Sequence, residues 1–235
     1  MSEILRTIGV KRSFPVAGGL FWALKGIDIT VPEASLTILK GRSGSGKTTL
    51  LNIIGALDAP TEGQVFFDGK DIAGAGESER EKLRRTKIGY IFQSVALIPV
   101  MSAYENVEYA LRLAGYKGDY RERVMECLRL VGLSKRATHM PEELSGGEQQ
   151  RVAIARSIAH NPKIIYADEP TGALDSATSL QVIAIFKELI EKEGITIVMT
   201  THDPKLMEYG DVVYEIGDGE IISAKQTQEG GDVRE

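Results

Sequence analysis

Cysteine is nearly absent from the sequence: Cys127 is the only one, so no internal disulfide can form. A chain without disulfides fits a reducing compartment. The residues around the thiol, 124–128, are typical of a helix and give it no activating environment. We therefore expect no catalytic role for Cys127.

Long apolar runs are also absent. No stretch of about 18 apolar residues occurs, and the first residues lack the charged-then-apolar pattern of a signal peptide. We therefore expect a soluble chain, for which any role at a membrane requires a partner that supplies the spanning helices.

The sequence has no excess of basic residues. Lysine and arginine total 28 against 33 acidic residues, which gives a formal net charge of -5. Since nucleic-acid binders usually carry a basic face, we expect no nucleic-acid partner. The one basic cluster, residues 82–87, follows Glu77, Glu79 and Glu81, and this order favours a solvated helix face over a binding patch.

What the sequence does contain is a glycine-rich stretch, GRSGSGKT at residues 41–48, which we call the P-loop. It fits G-x-x-x-x-G-K-[ST] at every fixed position, between a predicted strand at 36–40 and a predicted helix at 49–54. Glycines let backbone N–H groups turn inward around a phosphate, and the first helical turn adds unsatisfied donors. The alternative is a flexible Gly/Ser loop, which the flanking strand and helix disfavour.

The P-loop predicts a site for a nucleotide and its metal ion. We expect Lys47 to reach the β- and γ-phosphates as a point charge and the Thr48 hydroxyl to hold Mg²⁺. The predicted nucleotide contacts in this region are Gly41, Ser43, Gly44, Ser45, Gly46, Lys47, Thr48 and Thr49.

Two carboxylates follow a second apolar run, residues 164–167. After a P-loop, the first of them, Asp168, is expected to hold the Mg²⁺ shell, usually through water. Glu169 points to the opposite side of the strand end, so it could face the γ-phosphate and polarise an attacking water. The alternative is a solvated strand end.

The stretch LSGGEQQR at residues 144–151 predicts the start of a helix. Ser145 and Glu148 have the spacing of a capping box, in which each side chain satisfies a backbone N–H of the other residue. The adjacent glycines, 146 and 147, are unfavourable in a first helical turn unless the backbone must approach an anion closely. A second phosphate site is therefore predicted here.

Strand-like and helical segments alternate along most of the 235 residues, which suit one sizeable domain. This order predicts an α/β fold with a parallel sheet and helices on both faces. Alternating patterns at 5–10 and 26–31, separated by a turn-rich insert at 15–19, predict an antiparallel sheet beside the core. Helical spacing from 102 to about 133, interrupted at 115–118, predicts a helical subdomain between two core strands.

The P-loop and the LSGGEQQR stretch together resemble the ATP-binding cassette (ABC) ATPases, the nucleotide-binding subunits of ABC transporters. We call residues 144–151 the signature stretch, because they match that family's signature motif. The resemblance implies one domain, 1–235, with a P-loop NTPase core, a mostly parallel sheet, an antiparallel β subdomain and an inserted α-helical subdomain. It divides the chain into a core at 1–92 and 163–225, a helical subdomain at 93–162 and a polar tail at 226–235.

The resemblance also assigns roles to single residues. Gln93 matches the Q-loop glutamine, which contacts Mg²⁺ and water, and His202 matches the switch histidine at the γ-phosphate. Asp175 matches the D-loop aspartate at a dimer seam. The implied catalytic residues are Glu169, His202 and Gln93, the metal ligands Thr48, Gln93 and Asp168, and the nucleotide contacts across the dimer Ser145, Gly146, Gly147 and Asp175.

Phe14 lies where the family places an aromatic ring that stacks on adenine. Such a ring contributes on the order of 1–3 kcal/mol to nucleotide binding. Trp22 is a nearby competitor for this role, and for both rings the alternative is ordinary core packing.

The implied function is an ATPase subunit that binds ATP with Mg²⁺ in a head-to-tail homodimer and moves an integral membrane permease. We call residues 93–101 the docking loop. They are apolar for a loop, which indicates either a contact with the permease or packing in the core. The implied location is cytoplasmic, on the inner face of the membrane through the permease. Within the family the chain looks most like the lipoprotein-release, macrolide-export and antimicrobial-peptide-resistance branch; a sensor that signals through a membrane partner is the alternative.

Overall fold

The computed structural model describes residues 2–226, which form eleven strands and six α-helices. The strands in chain order are β1 (Glu3–Val16), β2 (Gly19–Ile27), β3 (Thr30–Pro32), β4 (Leu36–Lys40), β5 (Glu62–Phe67), β6 (Lys70–Asp71), β7 (Ile88–Ile91), β8 (Ile164–Ala167), β9 (Thr196–Thr201), β10 (Val212–Gly217) and β11 (Glu220–Gln226). The helices are α1 (Lys47–Ile54), α2 (Glu77–Thr86), α3 (Ala103–Ala114), α4 (Tyr120–Leu130), α5 (Gly146–Ile158) and α6 (Ser176–Glu193).

The core sheet has the strand order β11, β10, β4, β9, β8, β7. Its strands are parallel except β11, which pairs antiparallel with β10. Every residue of β8 and β9 is buried, as expected for parallel strands covered on both faces. The predicted α/β fold class is therefore confirmed.

The parallel arrangement determines where the functional segments meet. The P-loop follows β4, the docking loop follows β7, and Asp168 and His202 follow β8 and β9. Because the carboxyl ends of parallel strands lie at one edge of a sheet, these four segments converge there.

A second, antiparallel sheet has the order β2, β1, β5, β6, with β3 also paired to β1. Its presence is confirmed, but the strand boundaries predicted from the sequence differ from the observed ones. The strand expected at 5–10 continues to Val16, and Gly19 already begins β2, where a turn-rich insert was expected. Register shifts in the pairing of β1 with β2 interrupt the alternation of side chains, which is why the pattern of the sequence ended too early.

The inserted helices α3, α4 and α5 lie between β7 and β8 in the chain and pack together. Their apolar faces share one buried cluster with residues of the core sheet. Ser102 and Glu105 form a capping box at the start of α3, and Gly115 ends the helix in the left-handed conformation. The predicted helical insertion is thus present, with its interruption where expected.

The end of the described chain differs from the prediction. The hairpin of β10 and β11 was not predicted, and Gln226, assigned to the polar tail, is the last residue of β11 and pairs with Val212. The pairing with β10 satisfies backbone groups of this largely exposed segment. The rest of the predicted tail lies outside the described residues.

Two further expectations concern helices. Cys127 is fully buried in α4, and burial raises the pKa of its thiol to about 11.

Helix α2 buries none of its residues, and Glu77 pairs with Arg80 and Arg84, so the basic cluster is a solvated helix face. Among the residues described, no helix has both the length and the apolar character needed to cross a membrane.

Candidate nucleotide-binding site

The P-loop turns sharply between β4 and α1. Gly41 has φ 156° and Gly46 has φ 107°, values in the region that favours glycine. A Cβ atom at Gly41 would lie 2.2 Å from the carbonyl oxygen of Ile216, and one at Gly46 would lie 2.8 Å from that of Ala23. In the part of the chain that the structure describes, no side chain caps the start of α1, so its first N–H groups remain available to an anion.

Lys47 is held at the centre of this loop. Lys47 is only 5% exposed, and its Nζ donates hydrogen bonds of 2.9 Å to the carbonyl oxygens of Gly41 and Arg42. Within residues 2–226 no carboxylate pairs with this ammonium. A buried cation that has only carbonyl partners fits a phosphate, which would supply the missing negative charge.

Several side-chain oxygen atoms that could coordinate a metal ion lie close together where β8 ends. The hydroxyl of Thr48 donates to Oδ1 of Asp168 at 3.2 Å, and the hydroxyl of Thr200 donates to the same oxygen at 2.7 Å. Hydroxyl and carboxylate oxygens suit Mg²⁺, which usually takes one or two protein ligands and completes its shell with water and phosphate. Among the described residues, no cluster of three or more His, Cys, Asp or Glu side chains is placed to hold a metal ion.

Glu169 has an unusual backbone, with φ 44° in the left-handed region that non-glycine residues rarely adopt. The Thr200 hydroxyl accepts its backbone N–H at 2.8 Å. Oε2 of the Glu169 carboxylate accepts a hydrogen bond of 3.3 Å from Nε2 of Gln93. Oε1 of the same carboxylate lies 3.5 Å from Nδ1 of His202. The structure thus brings together all three predicted catalytic residues.

The cleft above these groups measures about 750 Å³, within the usual range for a small-molecule site. It is lined by the following residues, most of which the sequence predicted: Phe14, Phe21, Ala23, Arg42, Ser43, Gly44, Gly46, Lys47, Thr48, Thr49, Gln93, Glu169 and His202. Of the other predicted P-loop contacts, Gly41 and Ser45 lie behind this lining, where a Cβ at Gly41 would be 2.6 Å from the Ser45 hydroxyl.

The two candidate aromatic rings separate into different clefts. Phe14 lines the P-loop cleft and carries the guanidinium of Arg12 4.8 Å from its ring centre. Trp22 instead lines a neighbouring cleft of about 470 Å³. Phe21, which the sequence did not single out, pairs with Phe14 across the hairpin of β1 and β2 and lines the same cleft as Phe14. Recognition of β2 as a strand would have indicated it.

The signature stretch starts α5 with the predicted capping box. The N–H of Glu148 donates to Oγ of Ser145 at 3.3 Å, and the N–H of Ser145 donates to Oε2 of Glu148 at 2.9 Å. The backbone N–H of Ser145, and after it the Ser145 side chain, lower the pKa of the Glu148 carboxyl group. Gly147 has a second reason to lack a side chain, because its Cβ would lie 2.6 Å from a methyl of Thr178.

Asp175 caps helix α6, a role that the sequence did not single out although aspartate is a preferred N-cap residue. Its carboxylate accepts the N–H of Thr178 at 3.0 Å and the Thr178 hydroxyl at 2.6 Å, and these bonds lower its pKa. Asp175 and the predicted phosphate contacts Ser145, Gly146 and Gly147 line a separate cleft of about 520 Å³. None of these four residues lines the P-loop cleft.

Thr200 is a further site residue that no sequence pattern indicated. It is fully buried in β9, where threonine is an ordinary strand residue. Its hydroxyl nevertheless joins the carboxylate of Asp168 to the backbone of Glu169.

Comparison with known proteins agrees with this geometry. Residues 24–172 match the family model described as ABC transporter. MJ0796 of Methanocaldococcus jannaschii, described as an uncharacterized ABC transporter ATP-binding protein, is 43% identical over 224 residues, 93% of this chain and 95% of that protein. The macrolide export ATP-binding/permease protein MacB of Syntrophobacter fumaroxidans is 47% identical over 201 residues, which cover 84% of this chain and 28% of MacB. The lipoprotein-releasing system ATP-binding protein LolD of Hyphomonas neptunium is 40% identical over 223 residues, 94% of this chain and 98% of LolD.

A solved structure of MJ0796, a dimer in a post-hydrolysis state bound to ADP and Pi, matches with a TM-score of 0.87 and 41% identity. The match covers 94% of this chain and 98% of that chain. The cassette fold and the family resemblance predicted from the P-loop and the signature stretch are confirmed. The chain belongs to the ABC transporter family, and it is an ATPase of that family.

Proposed function

We propose that this chain binds ATP with Mg²⁺ as a head-to-tail pair of identical subunits and uses hydrolysis to drive a membrane permease. The observation that carries the proposal is the separation of the two clefts. The P-loop, Glu169 and His202 border one of them, whereas the signature residues border the other. A signature stretch therefore reaches a P-loop nucleotide only if a second copy supplies it.

Each side chain at the P-loop cleft has a role that its contacts support. Lys47 and the free N–H groups of α1 bind the β- and γ-phosphates. Thr48, Asp168 and Gln93 hold Mg²⁺, directly or through water; the metal, when bound, offsets the negative charge of the phosphate oxygens. Phe14 stacks on adenine.

Hydrolysis requires a water molecule to be positioned and polarised. Glu169 takes this part as general base, which is worth about 10²- to 10⁴-fold in rate. Its carboxylate already accepts a hydrogen bond from Gln93 and lies beside the imidazole of His202. Gln93 orients the carboxylate and the water, and His202 contacts the γ-phosphate.

The second copy contributes the signature end of α5. Ser145, Gly146 and Gly147 present a hydroxyl and backbone N–H groups at the start of a helix of 13 residues, whose dipole favours an anion. Asp175 borders the same cleft and lies at the seam between the subunits. The dimeric state of the solved relative supports this arrangement.

The docking loop is proposed as the permease contact. Val100 is 81% exposed at its tip, whereas Leu97 packs against the core cluster, so the loop combines an anchored part with an exposed apolar part. The side chain of Asn106 fixes the loop by bonding the N–H and C=O of Ile98 and the C=O of Met101. Contact through this loop would hold the chain on the cytoplasmic face of the membrane.

Copurification from membranes of the source cells tests the permease proposal. We expect the wild-type chain to bring down an integral membrane protein, and Val100→Asp to lose it while still binding ATP. Ile222→Asp is the matched control, because Ile222 is 66% exposed but lies on β11, away from the docking loop. Equal recovery of the membrane protein with Val100→Asp and with the wild type would contradict the assignment of the loop.

A further inference from the structure

The start of the docking loop contains a strained turn. The N–H of Ala96 donates to the carbonyl oxygen of Ser94 at 2.6 Å, which closes a three-residue turn around Val95. Val95 has φ 61° and Ala96 has φ 50°, both in the left-handed region. Three-residue turns with a positive φ at the centre are rare and strained, and a β-branched residue makes this conformation less favourable still.

Arg156 of α5 holds this turn from the other side. Its two terminal nitrogens donate separately to the carbonyl oxygens of Ala96 at 2.6 Å and of Val95 at 3.1 Å. A guanidinium can make such paired bonds because its donors form a rigid fork, whereas a lysine ammonium is a single point charge. The side chain therefore matches the two strained carbonyls and stabilises a conformation that the loop alone disfavours.

The position of the turn connects it with the chemistry. Gln93, which bonds the carboxylate of Glu169, is separated from Val95 by one residue. Arg156 stands on the same helix as the signature end at Ser145, and α5 between them is continuous. Helix α5 therefore connects the signature stretch to the loop that carries Gln93.

We infer that Arg156 is a positioning residue, which holds the Ser94–Ala96 turn in its left-handed conformation and thereby keeps Gln93 beside Glu169. The inference rests on the role proposed for Gln93 in hydrolysis. Arg156 would then affect the rate of hydrolysis although it does not line the P-loop cleft.

Hydrogen exchange tests the first step without any reference to catalysis. In Arg156→Lys we expect the amides of Val95 and Ala96 to exchange about tenfold faster, because charge-assisted bonds that oppose opening of the turn are lost. Arg123→Lys is the matched control: Arg123 also donates to two consecutive carbonyls, of Ile158 and Ala159, but these lie at the end of α5. The inference would be overturned if the exchange rates of the Val95 and Ala96 amides did not change in Arg156→Lys. It would also be overturned if Arg123→Lys raised those rates equally.

A double-mutant cycle tests the second step. We expect Arg156→Lys to lower kcat for ATP hydrolysis about fivefold and to have no further effect when Gln93→Ala is already present, since residues that act through one contact are not additive. Additive effects would overturn the link to Gln93. If Gln93→Ala alone leaves kcat unchanged, the role proposed for Gln93 fails, whereas the exchange experiment still decides whether Arg156 holds the turn.

Rescue by glycine distinguishes positioning from loss of charge or packing. Glycine adopts a positive φ without steric cost, so Ala96→Gly lowers the strain that Arg156 offsets. We expect Arg156→Lys with Ala96→Gly to regain at least about half of the lost kcat. No recovery, with normal folding of the double variant, would contradict the proposed role of the turn.

Discussion

Thr200 donates a hydrogen bond of 2.7 Å from its hydroxyl to Oδ1 of Asp168. The same hydroxyl accepts the backbone N–H of Glu169, whose φ of 44° is unfavourable without such support. One buried side chain of β9 thus orients the carboxylate of Asp168 and supports the backbone of Glu169 at the end of β8.

Replacement of Thr200 by valine, which keeps the shape and removes the hydroxyl, should disturb this arrangement. We expect Thr200→Val to raise the Mg²⁺ concentration needed for half-maximal hydrolysis by at least about tenfold, because a hydrogen bond to a charged group is worth about 1.5–3 kcal/mol. Thr37→Val is the matched control, since the Thr37 hydroxyl is buried in neighbouring β4 and has no partner within residues 2–226. Identical Mg²⁺ titrations for both variants would contradict the role given to Thr200.

Lys47 should matter for nucleotide affinity and little for folding, because among the described residues its ammonium bonds only P-loop carbonyls. We expect Lys47→Ala to weaken ATP binding by at least about 100-fold, since charge-assisted bonds to two phosphates are lost. Lys40→Ala removes a lysine that is one residue before the P-loop but pairs with Glu215, so it should bind ATP normally. Equilibrium dialysis measures both affinities, and wild-type affinity in Lys47→Ala would refute the phosphate assignment.

The choice between the aromatic rings follows from the clefts that they line. We expect Phe14→Ala to weaken ATP binding about tenfold and Phe14→Tyr to leave it unchanged, because stacking needs only a ring face. Trp22→Ala should be silent, since Trp22 lines the neighbouring cleft. Fluorescence titration with a labelled nucleotide separates the two; the opposite pattern would show that Trp22 is the stacking ring.

The buried thiol of Cys127 predicts a pH dependence of stability. Its pKa is raised by burial from the ordinary value of 9.0 to about 11, so the folded state disfavours the thiolate. A raised pKa contributes stability below pH 9, and this contribution is lost as the pH rises towards 11. Between pH 8 and pH 10 the wild type should lose about 1 kcal/mol more than Cys127→Ala in denaturant melts. Parallel pH profiles of the two proteins would contradict this.

The parts of the site that could be predicted from the sequence are those in which consecutive residues carry the chemistry. The P-loop is such a segment, because its glycines, Lys47 and Thr48 act on one ligand from one turn. The carboxylates Asp168 and Glu169 could be predicted for the same reason, once a strand was recognised before them. A local pattern predicts a local structure, and the parallel sheet brings the segments together.

The missed contacts depend on pairing between distant segments. Phe21 enters the cleft because β2 pairs with β1, and the register shifts of β1 conceal that pairing in the sequence. Thr200 and Arg156 act through bonds to residues 31 or more positions away. Nothing in the neighbouring residues indicates such partners, since threonine in a strand and arginine in a helix are also common without a special role.

The central claim is that ATP lies between the P-loop of one subunit and the signature stretch of the other. Glu169→Gln should keep the ATP contacts and stall hydrolysis, so that a dimer accumulates in Mg-ATP. Adding Ser145→Arg should abolish that dimer, because a bulky charged side chain then occupies the seam. Ser102→Arg is the matched control, since Ser102 forms the same capping box at the start of α3 and its loss affects the helix alone.

Light scattering on these three proteins, with and without Mg-ATP, tests this claim most directly. Low salt and high protein concentration limit screening and favour association by mass action. We expect an ATP-dependent dimer for Glu169→Gln and for Glu169→Gln with Ser102→Arg, and a monomer for Glu169→Gln with Ser145→Arg. An unchanged ATP-dependent dimer in the variant that carries Ser145→Arg would contradict the account, because the signature stretch would then be only a capped helix.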